Sequence, residues 1–314
     1  MERCLYCYQP LELNEGSFHK KCSKKIFGQS TPPLLPFSES HIEEFANQVI
    51  RKSIAVTGVQ PKISLHLASE ELKNDPKRFT IVGLWGEYIL KPPTELSPQL
   101  PEIEDLTMHL AAIANIKTVS HSLISLQSGK LAYITKRIDR VKNNKLHLED
   151  MCQLTERLTE DKYQGSYEQI AKTIKKFSSN PMLDVVTFYE LIVFSFLTGN
   201  ADMHLKNFSL IKHPVQGYVL APAYDLVATA LVNPSDDEDL ALTLNGKKKN
   251  IRPIDFKEAF SKSGLNSKQQ ENIFKKMQNA KQHWMDFIDI SFVSPEMKQV
   301  YKKLINERLT RMEM

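Results

Sequence analysis

From Asp184 to Thr198 the chain is apolar almost without interruption, and the run stops at Gly199-Asn200. A helix with no polar face has to be buried all round, and Gly followed by Asn is a strong C-terminal cap signal. That buried helix delivers the chain directly to Asp202. Elsewhere the period changes. Ile63 to Leu67 alternates, Phe79 to Val82 is apolar, and Glu87 to Lys91 is a short apolar run closed by Pro92-Pro93; all three predict strands. Residues 122–135 predict a hairpin around Gln127-Ser128-Gly129-Lys130, and residues 208–211 and 217–221 a second one around His213-Pro214-Val215-Gln216. Helical spacing appears at 41–52 (Ile42, Phe45, Val49, Ile50) and from Glu102 to Ala114 (Leu106, Leu110, Ala111, Ile113). Ser294-Pro295-Glu296 marks a late helix start, with a capping hydroxyl and Pro in the first turn. The charged stretches 136–150 and 233–239 read as solvated loops.

This pattern divides the chain into a Cys/His module at 1–28, a β-rich lobe with one prominent helix at 29–135, and a mainly helical lobe at 136–314. A Ser/Pro linker, Gln29 to Ser38, follows the first piece. The 314 residues provide ample core for such an arrangement. A net charge of +4 is slight for this length and does not argue for nucleic-acid binding. No apolar run of about eighteen residues predicts a membrane span. The start, Met-Glu-Arg-Cys, has no apolar h-region, and three of the four cysteines fall in the first 22 residues. Both features point to a reduced cytoplasm rather than secretion or a disulfide scaffold.

Candidate chemistry gathers after the buried helix. Asp202 and Asn207 lie five positions apart, the second hairpin follows, and Asp225 closes it. Phosphoryl transfer needs an aligned acceptor and neutralised phosphate oxygens more than covalent help. Asp202 would accept or orient the acceptor hydroxyl proton, while Asn207 and Asp225 supply the hard oxygen ligands that suit Mg²⁺. Alone, an Asp-x4-Asn spacing is an ordinary turn; the order buried helix, Asp-x4-Asn, hairpin, Asp is what carries the reading. Lys91, at the end of its apolar strand, would grip phosphate. Glu104 on the following helix would orient it, with Glu102 as the competing partner. Lys206 stabilises the transferring phosphate or solvates its loop, and His204 contacts nucleotide or simply packs. No G-x-G-x-x-G phosphate loop is present; Ser53 to Lys62 stands in its place, with Gly58 as its one glycine.

Six motifs in order resemble the HipA family. They are Thr57-Gly58-Val59-Gln60-Pro61-Lys62, Tyr88-Ile89-Leu90-Lys91-Pro92, Lys136 to Arg140, Glu149 to Gln153, Asp202 to Ser209, and Tyr224-Asp225-Leu226. The resemblance runs from about residue 25 to the end. It implies an α+β, bilobal protein-kinase-like fold binding ATP and Mg²⁺ between the lobes. It also implies a serine/threonine kinase acting as the toxin of a toxin–antitoxin system. By its length the chain is similar to the short HipT-like kinases, in which a HipS-like small protein is separate. The resemblance therefore implies an aminoacyl-tRNA synthetase as substrate (the tryptophan enzyme for HipT-like members). It further implies a HipB-like DNA-binding antitoxin and DNA contact only through it. Carried over, Asp202 is catalytic, Asn207 and Asp225 hold Mg²⁺, and Lys91 binds ATP with Gly58, Val59, Gln60 and Lys62 in the phosphate segment. That segment is autophosphorylated in the family. Here Ala55 and Thr57 replace the usual Ser-x-Ser, leaving Ser53 or Thr57 as acceptors. Two other classes stay open: a small-molecule kinase, and a non-catalytic nucleotide-binding subunit.

At the N-terminus, Cys4-x2-Cys7 and His19-x2-Cys22 have the paired spacing of a structural Zn²⁺ site, against a reduced packed cluster. Cys152 reads as a small core residue and Trp85 as a hairpin cap. Arg137 and Arg140 read as a solvated hinge. Lys247-Lys248-Lys249 is taken as a surface turn, with nucleic-acid contact as the lesser alternative.

Overall fold

The computed structural model describes residues 2–13, 15–38, 41–42, 44, 62–67, 77–82, 86–97, 99–141 and 144–314. The expected helix at 41–52 falls mostly outside them, as do Trp85 and all of the phosphate segment before Lys62. The described residues form two compact units.

The first unit comprises Met1–Asp105, Val119–Ile138 and Ile290–Phe292. Its antiparallel sheet is built from β1 (Ile63–Leu67), β2 (Phe79–Ile81), β3 (Tyr88–Lys91), β4 (His121–Ser125) and β5 (Leu131–Lys136), in the order β2-β1-β3-β5-β4. Alternation decides which face is covered: Ile63 and Leu65 of β1, and Tyr88 and Leu90 of β3, are buried. Gly86 is needed where the chain enters β3, since a Cβ there would lie 2.3 Å from Ser64 Oγ and 2.6 Å from Leu65 O. Helix α1 (Lys20–Phe27) covers the sheet. Phe27 packs edge-on against Phe79 at 5.9 Å, and Tyr88 Oη donates to Ile26 O at 3.0 Å. Helix α2 (Leu100–Ile113) has Pro101 and Glu102 in its first turn, as suits a helix start. Its residues to Asp105 belong to this unit and those from Leu106 to the second.

The second unit comprises Leu106–Thr118, Asp139–Asp289 and Val293–Met314. Its axis is α5 (Pro181–Leu197), preceded by α3 (Met151–Leu154) and α4 (Tyr167–Phe177). The expected helix begins three residues earlier than its apolar run, at Pro181, where the missing N–H costs nothing. Phe188, Tyr189, Ile192, Val193, Phe194 and Phe196 are fully buried. Around them pack α6 (Thr229–Val232), α7 (Pro253–Lys262), α8 (Ser267–Asp289) and α9 (Pro295–Arg311), the last capped by Ser294 Oγ accepting from Met297 N at 3.2 Å. Trp284 of α8 meets Phe194 at 5.8 Å and donates its indole N–H to Leu110 O at 2.8 Å.

Two stretches expected to be solvated loops are structured. Within 136–150 the chain makes the hairpin β6 (Arg140–Val141) and β7 (Asn144–Lys145), then β8 (Leu148–Asp150). Strand β8 pairs antiparallel with β9 (Ser209–His213), which pairs with β10 (Gly217–Leu220). The polar side chains of β8 hid the pairing, because a short strand in a small sheet needs little apolar content. In 233–239, Asp239 is 4% exposed and holds Arg308 and Arg311, while its Oδ2 accepts Ile251 N at 3.0 Å. Both guanidinium groups also lie over the Phe196 ring at 4.8 and 5.0 Å. The acids before Asp239 absorb the lysine run, with Lys249–Asp237 at 2.5 Å and Lys248–Glu238 at 3.4 Å, and Lys247 pairs with Asp255 at 2.8 Å. Its charge is thus locally compensated. Among the described residues no helix is long and apolar enough to cross a membrane.

Removing one partner of a buried ion pair leaves the other charge desolvated. Asp239→Ala is expected to lower unfolding free energy by about 3–5 kcal/mol, read as a shift in denaturant midpoint at constant m. A change under about 0.5 kcal/mol, the range of ordinary surface substitutions, would show the cluster to be dispensable.

Candidate active site

In the second unit the site begins where α5 ends. Thr198 donates N–H and hydroxyl to Phe194 O, both at 2.9 Å. Gly199 N–H reaches Phe196 O at 3.2 Å and Asn200 N–H reaches Ser195 O at 2.8 Å, the paired bonds of a Schellman cap. Gly199 has φ +70°, and a Cβ there would meet Leu304 Cδ2 at 2.6 Å and Ala230 Cβ at 3.0 Å. Only glycine satisfies both the backbone and the packing.

The loop that follows is fixed by its own polar groups. Asn200 Oδ1 accepts Asp202 N at 3.1 Å, and Asn207 Nδ2 donates to Asp202 O at 2.8 Å. Met203 and Leu205 are buried on either side of His204. Tyr167 Oη donates to Met203 O at 3.1 Å, and a short 3-10 turn, Leu205–Asn207, hands the chain to Phe208. Phe208 packs against Phe188 of α5 at 5.1 Å, which brings the start of β9 back to the helix that led into the loop. The return strand is held by Asp184, whose Oδ2 accepts Leu220 N at 2.8 Å. Tyr224 Oη then lies 2.5 Å from Ser209 Oγ and donates to Lys206 O at 3.1 Å, pinning the residue before Asp225 to the 202–207 loop. Asp225 itself has φ +59°, a left-handed conformation that a non-glycine residue adopts at a cost and that clusters at functional sites.

Two partners here were not readable from the sequence. Tyr163 Oη donates to Asp202 Oδ1 at 2.5 Å, and its ring stands edge-on to His204 at 5.0 Å. Burial and then the Asp202 bond push the Tyr163 phenol above its ordinary value, so it remains a donor. Lys206 Nζ donates to Asp150 Oδ2 at 2.8 Å, while Asp150 also caps α3 by accepting Gln153 N at 3.0 Å. Lys206 is thus paired rather than simply solvated. His204 is 6% exposed with Nδ1 unpartnered among the described residues. Burial holds its imidazole below the usual value against the opposing pull of Asp202.

In the first unit Lys91 and Glu104 meet. Lys91 Nζ donates to Glu104 Oε1 at 2.7 Å, with both side chains buried and the Tyr133 ring centroid 5.5 Å from the ammonium. Glu104 is fully buried. Glu102, the competing partner, does not make the bond. Its Oε2 is buried without a hydrogen-bond partner among the described residues, and desolvation lifts its carboxyl to about 7. Lys62 is exposed just ahead of β1, whereas Ser53, Thr57, Gly58, Val59 and Gln60 lie outside the described residues. Cys152 is buried in α3. Arg137 donates its backbone N–H to Glu87 O at 2.8 Å, and Arg140 pairs with the neighbouring Asp139 and so is not merely solvated. Cys4, Cys7, His19 and Cys22 bring their ligand atoms within 4.8 Å of one another.

Glu104→Ala leaves the Lys91 ammonium buried without its carboxylate and is expected to cost about 3–5 kcal/mol by chemical denaturation. Glu102 predicts a pH dependence of stability. The folded protein keeps this proton up to about pH 7, the unfolded chain only to 4.5. Its contribution is therefore full below pH 4.5 and is lost as pH rises towards 7. Against Glu102→Gln, wild type should lose no more than about 2–3 kcal/mol between pH 5 and pH 8, less where solvent screens the group. Parallel pH profiles of the two proteins would remove the assignment.

A family model described as HipA-like C-terminal domain matches residues 54–284. A putative kinase of Haemophilus influenzae is 31% identical over 251 residues, covering 73% of this chain and 69% of that protein. The serine/threonine-protein kinase toxin HipA of Shewanella oneidensis is 26% identical over 212 residues, covering 61% and 47%. The chain thus spans about two thirds of the first and about half of the second. Among solved structures it is similar to one in the Shewanella oneidensis MR-1 complex of HipA, HipB and operator DNA. The TM-score is 0.68 at 20% identity, over 85% of this chain and 71% of that one. It is also similar to the Helicobacter pylori proinflammatory kinase CtkA, with a TM-score of 0.53 at 17% identity, over 72% and 87%. The fold is therefore α+β and kinase-like, and the chain belongs to the HipA-like C-terminal domain family.

Proposed function

We propose that this protein is a HipA-type serine/threonine kinase that transfers the γ-phosphate of ATP to a protein hydroxyl. The observation that carries the reading is the buried Lys91–Glu104 pair at 2.7 Å. A lysine kept at a strand end in an apolar setting, and held there by a helix carboxylate, is the arrangement that positions a phosphate-gripping amine in kinases. A structural role alone would be served as well by a hydrophobic pair.

The donor set in the second unit fits a nucleotide-bound magnesium ion. Asn207 spends its amide N–H on Asp202 O, which leaves its Oδ1 as an oxygen donor, and Asp225 supplies a carboxylate. Magnesium bound there would neutralise charge on the phosphate oxygens. Asp202 would take or orient the acceptor hydroxyl proton, and Tyr163 occupies its Oδ1 in the resting loop, to be displaced by that hydroxyl. Lys206, paired with Asp150, sits within the same loop as a further cation for the transferring group. His204, buried with its imidazole held below the usual value, would contact the nucleotide.

The relatives support part of a biological setting. The named Shewanella protein is a toxin, and the solved complex joins HipA to HipB and operator DNA. For this chain we infer a toxin role in the cytoplasm, with a HipB-like antitoxin and a HipS-like small partner, and DNA engaged only through the antitoxin. The substrate class is an aminoacyl-tRNA synthetase, the tryptophan enzyme first. Any autophosphorylation would fall on Ser53 or Thr57.

Asp202→Asn and Asp225→Ala are each expected to lower phosphotransfer at least 10²-fold and to relieve growth arrest on expression. Incubation with labelled Mg-ATP, a cell lysate and a panel of small acceptors, followed by phosphosite mapping, reads the first effect and the substrate together. Full toxicity in either variant would defeat the mechanism, and label found only on small acceptors would move the protein to a small-molecule kinase.

A further inference from the structure

The Cys/His cluster is not used by the phosphotransfer reading, yet it is tied to the helix that carries Glu104. All four cysteines are free thiols. Cys7 Sγ lies 3.4 Å and Cys22 Sγ 3.8 Å from the same nitrogen, His19 Nδ1. A tetrahedral zinc site with Zn–S near 2.3 Å and Zn–N near 2.0–2.1 Å places its ligand atoms about 3.5–3.8 Å apart. The other nitrogen, His19 Nε2, is 3.0 Å from Pro10 O. That bond selects the tautomer with a proton on Nε2 and the lone pair on Nδ1, the usual outer-sphere support of a zinc-ligating histidine. A packed thiol cluster would not require the imidazole to be oriented in this way.

The second observation concerns what the cluster holds. The turn Cys4 to Cys7 closes with Tyr8 N–H on Cys4 O at 2.9 Å, and Tyr8 has φ +62°. Glycine would be relaxed at that position, and a tyrosine is strained. Its side chain explains why it is there: Tyr8 is fully buried, and its hydroxyl donates to Asp105 Oδ2 at 2.7 Å. The other oxygen, Asp105 Oδ1, is 2.6 Å from His121 Nδ1 on β4. One residue before Asp105 on the same helix is Glu104, the partner of Lys91. The metal turn also meets β4 directly, since Leu5 O accepts both Leu123 N at 3.2 Å and Ser122 Oγ at 3.0 Å.

We propose that Cys4, Cys7, His19 and Cys22 bind one Zn²⁺. The ion fixes the Tyr8 turn, and Tyr8 through Asp105 positions Glu104 against Lys91. Tyr8 and Asp105 are positioning residues, and zinc is the clamp that lets a strained turn do the positioning. The zinc part stands whether or not the protein is a kinase; its consequence for ATP rests on the phosphotransfer reading.

The test uses the full chain. Elemental analysis after expression in zinc-containing medium should give about one equivalent of zinc, and Cys22→Ser well under half of it. Zinc below about 0.2 equivalents in wild type would overturn the proposal. The coupling is read without any kinase assay, from the rate at which an amine-reactive acylating probe labels Lys91, resolved by peptide mass spectrometry. Its buried pairing with Glu104 shields the amine. Removing zinc with a chelator should raise Lys91 labelling several-fold while Lys276, paired with Glu190 at 2.6 Å in the other unit, stays unchanged. Tyr8→Phe, which keeps the ring and the ligands, should retain zinc and still raise Lys91 labelling. Unchanged Lys91 labelling in that variant, or an equal rise at Lys276 reporting general unfolding, would overturn the positioning role. If labelling responds as expected but no phosphotransfer is found in any state, the kinase reading fails and the zinc clamp survives.

Discussion

From Leu191 to Leu197 helix α5 has no side to give to water, although its first turn leaves Met182 and Leu183 exposed, and the second unit is organised by that constraint. Burying Phe188, Tyr189, Ile192, Phe194 and Phe196 on one element contributes on the order of 10 kcal/mol gross, at about 2 kcal/mol for each large apolar side chain. Helix α4 together with α6 to α9 and a small sheet covers it. A buried helix must also end without orphaned carbonyls. The Gly199–Asn200 cap does this and turns the chain sharply, so that Asp202 emerges at a defined place. The same helix then receives Phe208, and through Asp184 it receives Leu220. The polypeptide that carries Asp202, Asn207 and Asp225 is therefore anchored to one rigid element at three points. A constellation for phosphoryl transfer needs that rigidity more than it needs unusual chemistry.

How far the sequence could show this follows from the kind of information each feature uses. The buried helix, its glycine cap and the hairpin after it are local, and the apolar run with Gly199-Asn200 announced them. The Asp-x4-Asn spacing is local too. The pairing of Lys91 with Glu104 was readable only as a choice between Glu102 and Glu104, because helical spacing permits either and the strand's direction decides. Tyr163 was missed because its partner lies 39 residues away and it stands in no distinctive local pattern; Asp150 lies in the Glu149 to Gln153 motif, but nothing local shows that its partner is Lys206, 56 residues on. The same holds for Asp239. In a run of acids it reads as solvent, until two arginines from the end of the chain arrive to neutralise it. Burial of a charge is a tertiary event, and composition around the residue is a poor guide to it.

The first turns of α2 show how expensive groups can specify a structure. Glu102, Glu104 and Asp105 fall within a single turn, Glu104 and Asp105 are fully buried, and each meets a different environment. Glu104 is ionised against Lys91, Asp105 accepts from Tyr8 and contacts His121, and Glu102 is driven towards its neutral form. A rotation of the helix by one residue, about 100°, would unpair both buried carboxylates at once. It would also bring a carboxylate paired elsewhere to the site where desolvation raises the carboxyl of Glu102. Apolar packing could accept several registers of so short a contact, since Leu and Ile are forgiving partners. The carboxylates accept one. The cost of desolvating them is thereby exchanged for a single orientation of Glu104, and a strained tyrosine in the Cys/His turn is a reasonable means of holding that orientation.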